Sequence, residues 1–453
     1  MPQILIIGAG IFGASTAYHL AKTHPNPSQI TILDRTPAPS PFTSTSTTPR
    51  PTNNIQPKAG ASSDINKIIR ADYSSPLYMD LAIEAIKSWK TLPVFNSAKV
   101  YTQSGWIAMD ENDSDVPRLI RENFRKGGHE FEGAIVEMDE EEVRNSWGGV
   151  LARTEMGPFG SYYFNASAGW VDAEGALRGM LREAVGLGVR YVCGEVERVV
   201  LRDSGSGGGG GGGVKGVELG DGRVLEAEKV LFATGAWTSK VMASVEDELG
   251  IEGGGRVEGQ VSAAGVCVSH FQLSEEEREV YSRLPVLVYG GQGEVIPPTS
   301  SGILKFTSTT SFKNTIRTAS GHDISVPVED QFYAPPGLKD DALSAVRARL
   351  PQLLDNGRKP DFYRLCWDSI SASQHPLITQ HPDPRLGNLY LAVGGSFHFY
   401  KFLPIIGKYV VNVLDGVGNG PVKDKAWGWK SAEENERGVH ASLIPKHEFK
   451  DFE

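Results

Sequence analysis

The apolar residues at the start of the chain predict two buried strands with a helix between them. Residues 4–7 are all apolar, and residues 30–33 are largely apolar and lead into Asp34. Strands of this kind are typical of a parallel sheet that is covered by helices on both faces. Apolar spacing in residues 14–21 predicts a helix between them. The chain therefore opens with a predicted βαβ unit.

The pattern along the rest of the chain predicts alternating helical and strand-rich regions. Ser62, Ser63 and Asp64 are suited to cap a helix that would follow them. Helical spacing is found in residues 65–70, 77–89, 173–185, 339–350 and 403–414. Strand patterns are found in residues 104–109, 190–193, 195–201, 229–237, 261–268, 286–289, 303–308 and 388–394. Strands and helices of the kind found in nucleotide-binding domains thus occur at both ends of the chain and in its middle, and a strand-rich domain is inserted between them.

Length, charge and cysteine content exclude several classes of protein. A chain of 453 residues exceeds a single hydrophobic core, so we expect two domains. The net charge of −10 argues against nucleic acid and anionic membranes as partners, and no apolar stretch is long enough to span a bilayer. Three cysteines are too few for a disulfide framework and suit a reducing compartment. The histidines lack the spacing of metal ligands, so we expect no metal site.

Three glycines after the first strand carry the clearest chemical signal. Gly8 permits a tight turn, Gly10 lets the backbone approach a pyrophosphate, and Gly13 allows the helix to pack closely on the strand. Asp34 ends the second strand, where its carboxylate can accept ribose hydroxyls. The order of these features along the chain, which is a strand, the glycines, a helix, a second strand and the acid, favours a dinucleotide site over an ordinary glycine turn. The motif alone does not separate NAD from FAD.

Five further segments resemble one group of flavoenzymes. Residues 233–237 resemble the second flavin motif of FAD-dependent amine and amino-acid oxidases, and residues 168–173 and 394–408 resemble two further segments of that family. Residues 61–73 and the triplet Cys366-Trp367-Asp368 are more specific signals. On these residues the chain resembles the monomeric sarcosine oxidase group, and within it the fungal branch of amadoriases, pipecolate oxidases and saccharopine oxidases.

This resemblance implies an α/β fold in which a Rossmann-type FAD-binding domain holds an inserted α+β substrate domain dominated by an antiparallel sheet. We expect the FAD-binding domain to comprise residues 1–90, 151–245 and 361–453, and the substrate domain to comprise residues 91–150 and 246–360. The implied protein is a monomer that acts on a small-molecule amine and O₂. The last residues do not form a peroxisomal signal of the Ser-Lys-Leu type, so we expect a cytoplasmic protein.

The resemblance also implies which residues contact FAD. They are Gly8, Gly10, Ile11, Phe12, Gly13, Asp34, Arg35, Ser63, Lys67, Val196, Thr234, Gly235, Trp237, Cys366, Gly395, Phe397, His398 and Lys401. Cys366 resembles the cysteine that joins the flavin 8α-methyl group through a thioether, and a thiolate suits that attack. The alternative for Cys366 is a small buried apolar residue. Cys193 and Cys267 lie on predicted strands, where we expect them in the core.

Three cationic residues are candidates for the chemistry. Lys305 alternates with apolar neighbours in a predicted strand, and a lysine that points into a protein needs a partner or a role. The resemblance implies that it lies near flavin N5, where a fixed cation assists O₂ reduction by stabilising superoxide. It further implies that Arg70 and Lys401 bind a substrate carboxylate, Arg70 through a bidentate fork. The alternatives are a solvent-facing strand lysine for Lys305 and a surface ion pair with Asp72 for Arg70.

The predicted reaction is the oxidation of a secondary amine that bears a carboxylate, such as sarcosine, pipecolate or saccharopine. The products are an imine, which hydrolyses, and hydrogen peroxide. Residues 396–400 depart from the Ser-Gly-His-Ser-Phe pattern of amadoriases, which argues against a sugar amine. The alternatives are a fructosyl amino acid oxidase, a flavin dehydrogenase with another electron acceptor, and a flavin-binding protein without turnover. Lys305 favours the oxidase over the dehydrogenase.

Two segments of low complexity are expected to form surface loops. Residues 36–63 are rich in Pro, Ser and Thr, a composition that cannot bury a core. Residues 207–213 are all glycine and lack the lysine and helix that follow a phosphate-binding loop, so we expect a flexible hairpin tip.

Overall fold

The computed structural model describes residues 3–37, 60–112, 114–127, 134–202, 213–431 and 443–453. Most of the Pro/Ser/Thr-rich segment and most of the glycine run lie outside these ranges. The strands are β1 (Ile4–Ile7), β2 (Ile30–Asp34), β3 (Asn66–Ile69), β4 (Tyr101–Thr102), β5 (Trp106–Glu111), β6 (Ile135–Met138), β7 (Phe159–Asn165), β8 (Gly169–Asp172), β9 (Arg190–Cys193), β10 (Val196–Leu201), β11 (Val214–Leu219), β12 (Val224–Glu226), β13 (Lys229–Phe232), β14 (Ser262–Gln272), β15 (Val286–Val288), β16 (Glu294–Ile296), β17 (Ile303–Lys313), β18 (Thr315–Arg317), β19 (Asp323–Ser325), β20 (Phe362–Ile370), β21 (Leu377–Gln380), β22 (Leu389–Val393) and β23 (His447–Glu448). The helices are α1 (Ile11–Thr23), α2 (Pro76–Thr91), α3 (Pro93–Asn96), α4 (Val116–Gly127), α5 (Glu140–Asn145), α6 (Ala173–Gly186), α7 (Thr238–Glu248), α8 (Glu275–Tyr281), α9 (Pro336–Arg349), α10 (Ile406–Leu414) and α11 (Pro421–Trp427).

A six-stranded sheet forms the nucleotide-type half of the molecule. Its strand order is β21-β22-β13-β1-β2-β9, and every neighbouring pair is parallel except β21 with β22. The central strands are buried because helices such as α1, α6 and α10 cover one face. This order brings the carboxyl ends of β1, β2, β13 and β22 to one edge, where open α/β sheets bind their ligands. The predicted Rossmann-type fold is confirmed.

A nine-stranded, mostly antiparallel sheet forms the second half. Its order is β20-β14-β17-β16-β15-β5-β7-β6, with β23 beside β17. One face packs an apolar core that includes Met109, Leu304 and Phe306. Because side chains alternate along a strand, the other face carries Lys305 and Trp106, and we call it the inner face. Lys305 and Cys366 on this face contact the segment that follows residue 60, so the face meets the six-stranded sheet.

Strand β3 (Asn66–Ile69) lies within the segment 65–70, where the sequence predicted a helix. Strand β3 pairs antiparallel with β8, with Asn66 opposite Asp172 and Ile69 opposite Gly169. Three isoleucines and a polar cap satisfy a helical pattern over so few residues, but β-branched side chains also suit a strand. Pairing with β8 supplies backbone partners that an isolated turn of helix would lack. The helix prediction is therefore wrong at this position.

The structure corrects two further predictions, the burial of Cys193 and the start of the C-terminal helix. Cys193 is exposed at the end of the edge strand β9, so its predicted core position is wrong, whereas Cys267 and Cys366 are buried. The predicted C-terminal helix begins at Ile406, and α11 follows it.

No helix within the described ranges is long and apolar enough to cross a bilayer. The exact division of the chain into two domains stays a prediction.

Candidate active site

A cavity of about 710 Å³ lies at the carboxyl edge of the six-stranded sheet. Its walls come from the ends of β1, β2 and β13, from residues 60–63 before β3, and from the segment after β22. The size lies within the range of cofactor sites, and the position matches the ligand edge of doubly wound sheets.

Two of the three glycines after β1, Gly8 and Gly13, are required by close backbone contacts. Gly8 has a φ of +101°, and a Cβ atom there would lie 2.4 Å from the carbonyl oxygen of Ala233. A Cβ at Gly13 would lie 1.8 Å from the carbonyl oxygen of Gly8, which fixes the close packing of α1 on the strand. A Cβ atom at Gly10 would lie 3.0 Å from the side-chain oxygen of Ser62, Oγ, at the cavity wall. These contacts leave bare backbone at the amino end of α1, which suits a pyrophosphate.

One part of the cavity is lined by an acid, Asp34, and by a cation stacked on an aromatic ring, Arg35. The backbone N–H of Ala9 donates to Asp34 Oδ2 over 2.7 Å, and the N–H of Thr36 donates to Asp34 Oδ1 over 2.8 Å. The carboxylate is thereby fixed at the edge of the cavity, with lone-pair capacity left on Oδ2. The guanidinium of Arg35 lies over the ring of Trp237, 3.8 Å from its centroid. This geometry fits a nucleoside whose ribose hydroxyl contacts Asp34.

Lys305 is buried and paired. Its side chain is 2% exposed, and Nζ donates to Asp64 Oδ2 over 2.6 Å and to the backbone oxygen of Asn66 over 3.1 Å. Lys67 Nζ lies 2.8 Å from the same carboxylate oxygen, and Arg364 lies 3.7 Å from the other. Burial raises the pKa of Asp64, but these cations outweigh it and hold that pKa well below its usual range. One carboxylate thus faces three cations, which leaves the cluster positively charged.

Arg70 is held between aromatic rings. Its guanidinium carbon lies 4.7 Å from the ring centroid of Tyr73 and 4.8 Å from that of Trp106, and it donates to the backbone oxygen of Asp72. The Asp72 carboxylate is buried and accepts from Trp106 Nε1 and Asn165 Nδ2 instead. The surface ion pair considered for Arg70 is therefore absent from this structure. The ring contacts and the bond from Nη1 to the Asp72 oxygen hold the guanidinium, and its remaining N–H donors are available to a ligand.

Lys401 lies in the segment after β22 and is buried without a carboxylate in hydrogen-bonding contact within the described residues. Nζ donates to Tyr73 Oη over 2.7 Å and to the backbone oxygen of His398 over 2.8 Å. Burial lowers the pKa of Lys401 well below its ordinary value, and the charge of Arg70 lowers it further. Tyr73 therefore links the two cations, because it stacks on Arg70 and accepts from Lys401.

Comparison with known proteins identifies the family. The model of the family described as "FAD dependent oxidoreductase" (DAO) matches residues 3–413. The chain belongs to this family. It is 27% identical over 443 residues to L-saccharopine oxidase of Schizosaccharomyces pombe, covering 94% of this chain and 93% of that protein. It is also 27% identical over 512 residues to the amino acid oxidase fsqB of Aspergillus fumigatus, covering 95% and 96% of the two chains. The resemblance inferred from the motifs is confirmed.

Solved structures confirm the fold. A fructosyl peptide oxidase from E. terrenum superposes with a TM-score of 0.81 at 24% identity, covering 100% of this chain and 97% of that one. FAD is the cofactor of the DAO family, and the glycine cradle, the acid at the end of β2 and the volume of the cavity fit it.

Most residues that were predicted to contact FAD line the cavity. The lining contains Gly8, Gly10, Ile11, Phe12, Asp34, Arg35, Ser63, Lys67, Val196, Thr234, Gly235, Trp237, Gly395 and Phe397. The other predicted contacts, which are Gly13, Cys366, His398 and Lys401, lie outside that lining. Gly13 packs behind the first turn, and both ring nitrogens of His398 are engaged, one with Tyr73 Oη and one with the backbone oxygen of Gln374. Their contacts with FAD stay predictions.

Several residues of the site were not singled out from the sequence. Asp64 was interpreted as a helix cap but is the partner of Lys305. Asp368 accepts from the N–H of Phe397 over 2.8 Å and lines the cavity. Phe397 and its neighbour Ser396 have φ values of 63° and 48°, a strained conformation that is common at functional sites. The Cys366-Trp367-Asp368 triplet was a signal for Asp368, but no local pattern marks Tyr73 or Trp106.

Proposed function

We propose that this protein is an FAD-dependent oxidase of a secondary amine that bears a carboxylate, with O₂ as the electron acceptor. The observation that carries the proposal is the position of Arg70 and Lys401, which share Tyr73 as a neighbour. Two cations with no carboxylate partner of their own within the described residues form a binding site for one. A charge-assisted contact of this kind contributes about 1.5–3 kcal/mol.

The protein binds and orients the substrate in this proposal, while the flavin, when bound, supplies the two-electron acceptor for the amine and the site at which O₂ is reduced. The guanidinium of Arg70 takes the carboxylate through two parallel N–H donors, and Lys401 adds a point charge. Trp106 and Tyr73 contact the guanidinium through their rings and hold it in place. The substrate amine reacts in its neutral form, because a protonated nitrogen has no lone pair to support the loss of two electrons to the flavin.

Lys305 supports the choice of O₂ as acceptor. Asp64 balances one charge of the cluster formed by Lys305, Lys67 and Arg364, so this cluster itself keeps a net positive potential. A preorganised cation in a buried site stabilises negative charge that develops on O₂. A flavin dehydrogenase would have no use for this potential.

A panel of amines tests the proposal. The purified holoprotein is expected to release hydrogen peroxide with at least one member of a panel of sarcosine, pipecolate, proline and saccharopine, and to do so faster than with fructosyl amino acids. The altered residues 396–400 support this order of preference. Turnover only with fructosyl amino acids would favour the amadoriase alternative. Flavin reduction without peroxide would favour the dehydrogenase alternative. The absence of both flavin reduction and peroxide would favour a flavin-binding protein without turnover.

We further propose that Cys366 binds FAD covalently. Cys366 lies on β20 among apolar neighbours, and Lys67 Nζ is 3.9 Å from Sγ. The attack on the flavin requires a thiolate as the nucleophile. Its strand neighbour across the sheet, Val266, packs beside it, so the thiol is fixed on the inner face.

Acid precipitation tests the covalent bond. The wild-type pellet is expected to stay yellow, and Cys366→Ala should release the flavin into the supernatant. Cys267→Ala is the matched control, because Cys267 is the next residue along β14 from Val266 but faces the opposite core. A colourless wild-type pellet would contradict the assignment.

The affinity for carboxylates is expected to fall as the pH rises. The pKa of Lys401 is lowered in the free protein, and a bound carboxylate would restore it, so binding takes up a proton. The dissociation constant of a carboxylate ligand, measured from the change in flavin absorption, should therefore increase with pH below the ordinary lysine pKa. Lys401→Met should remove this dependence, because Arg70 stays charged throughout. An affinity that is constant with pH in the wild type would show that Lys401 does not bind the carboxylate.

A monomeric protein in a reducing compartment such as the cytoplasm also belongs to this proposal. All three cysteines are free, which suits such a compartment.

A further inference from the structure

Glu294 brings a carboxylate to the inner face. Strand β16 pairs antiparallel with β17, with Ile296 opposite Lys305 and Glu294 opposite Thr307. Glu294 and Lys305 are therefore diagonal neighbours on one face, with their Cα atoms roughly 7–8 Å apart. Ile296, on the same face, packs in the cluster that holds Trp106, the residue stacked on Arg70. Strand register thus places Glu294 beside the candidate site.

The Glu294 carboxylate has no hydrogen bond or ion pair with another residue in the described part of the chain. It is half-buried. Burial lowers the pKa of Lys305 and of Lys401, and the charge of Glu294 opposes this effect; at Lys67, Asp64 outweighs burial and raises the pKa, and Glu294 acts in the same direction. Each of these lysines already has other hydrogen-bond partners: Lys67 and Lys305 share Asp64, and Lys401 donates to Tyr73. Glu294 therefore keeps its full capacity to accept hydrogen bonds.

We propose that Glu294 binds a second positive charge on the substrate, an ammonium at the far end of the group attached to the reacting nitrogen. The inference rests on the proposed function, in which Arg70 and Lys401 take the carboxylate. Strands β5, β15 and β16 are neighbours in the sheet, with Ala108 opposite Val288 and Val288 opposite Glu294. Glu294 therefore lies two strand spacings, roughly 10 Å, from the strand of Trp106. We take this strand spacing as the distance that the substrate spans between Arg70 and Glu294, and a chain of about five methylenes beyond the amine matches it.

A role in balancing the charge of the lysines makes a different prediction. Charge balance acts on every substrate alike, because it changes the potential at the reaction site. Recognition of an ammonium acts only on substrates that carry one. The two roles are separated by a pair of substrates that differ only at the far end, N-(5-aminopentyl)glycine and N-pentylglycine.

Glu294→Gln in the holoenzyme tests the inference. The wild type should prefer N-(5-aminopentyl)glycine, and the substitution should lower its kcat/KM by roughly 10- to 150-fold, mainly through KM. N-pentylglycine should be affected little, and Glu294→Asp should restore part of the preference. Direct binding of 6-aminohexanoate and hexanoate, measured from the change in flavin absorption, should show the same loss without any turnover.

Asp110→Asn is the matched comparison. Asp110 is the other half-buried acid that strand alternation places on the inner face of β5, and burial, together with Glu111, raises its pKa to about 6. A preference for the ammonium substrate that survives Glu294→Gln but not Asp110→Asn would overturn the inference. Equal losses on both substrates in Glu294→Gln would also overturn it. After either of these two results, the proposed function still stands if hexanoate binds to the wild type and Arg70→Ala weakens the binding of hexanoate. If hexanoate does not bind to the wild type, both the proposed function and the inference about Glu294 fail.

Discussion

Replacing Lys305 with Met is expected to slow the reoxidation of the flavin by O₂ roughly 10²–10³-fold and to change flavin reduction by the amine far less. The reason is the cluster around Asp64, in which Lys305 is buried and fixed by two hydrogen bonds. A cation that is held before the reaction needs no reorganisation when negative charge develops on O₂. Removing it eliminates that stabilisation, while the carboxylate and amine contacts of the substrate remain.

Stopped-flow measurement of the two half-reactions separates these effects. Lys313→Met is the matched control, because Lys313 ends the same strand, is 43% exposed and pairs with Glu448 at the surface. It should leave both half-reactions unchanged. If Lys305→Met slows reduction alone, Lys305 contacts the substrate and has no part in O₂ reduction.

Replacing Arg70 with Ala is expected to lower kcat/KM by roughly 10- to 150-fold for amines that carry a carboxylate. The guanidinium is stacked between Tyr73 and Trp106, so its donors are fixed before the substrate arrives. Arg70→Lys keeps the charge but not the planar fork, and it should recover only part of the loss.

Matched substrates show whether the carboxylate is the group that Arg70 binds. Pipecolate and piperidine differ only by the carboxylate, and Arg70→Ala should reduce activity on piperidine much less. Equal losses on the two amines would show that Arg70 supports the fold or the flavin. The main argument for an amino-acid substrate would then be lost.

The nucleotide-binding half could be predicted because its signals are local. The glycines after β1 and the acid at the end of β2 lie within the first 34 residues. Gly8 and Gly13 are required by close backbone contacts, and Asp34 accepts a backbone hydrogen bond from Ala9. The family could be predicted because its motifs occur in order along the whole chain, and the match over residues 3–413 confirms it.

The residues of the candidate active site were harder to predict because distant strands bring them together. The segment 65–70 satisfies a helical pattern, and only its pairing with β8 makes it a strand. That error turned Asp64 into a helix cap and concealed its ion pair with Lys305, 241 residues away. Glu294 lies on a strand of three residues, too short for any periodic pattern, and only its register with β17 places it beside Lys305.

The most direct test of the central claim is the anaerobic reaction of the holoprotein with the amine that gives the most peroxide in the panel. We predict that a secondary amine with a carboxylate bleaches the flavin without O₂, and that added O₂ restores the oxidised spectrum and yields one equivalent of hydrogen peroxide. A flavin that such amines never reduce, or one that stays reduced in O₂, would contradict the account of this protein as an oxidase of carboxylated secondary amines.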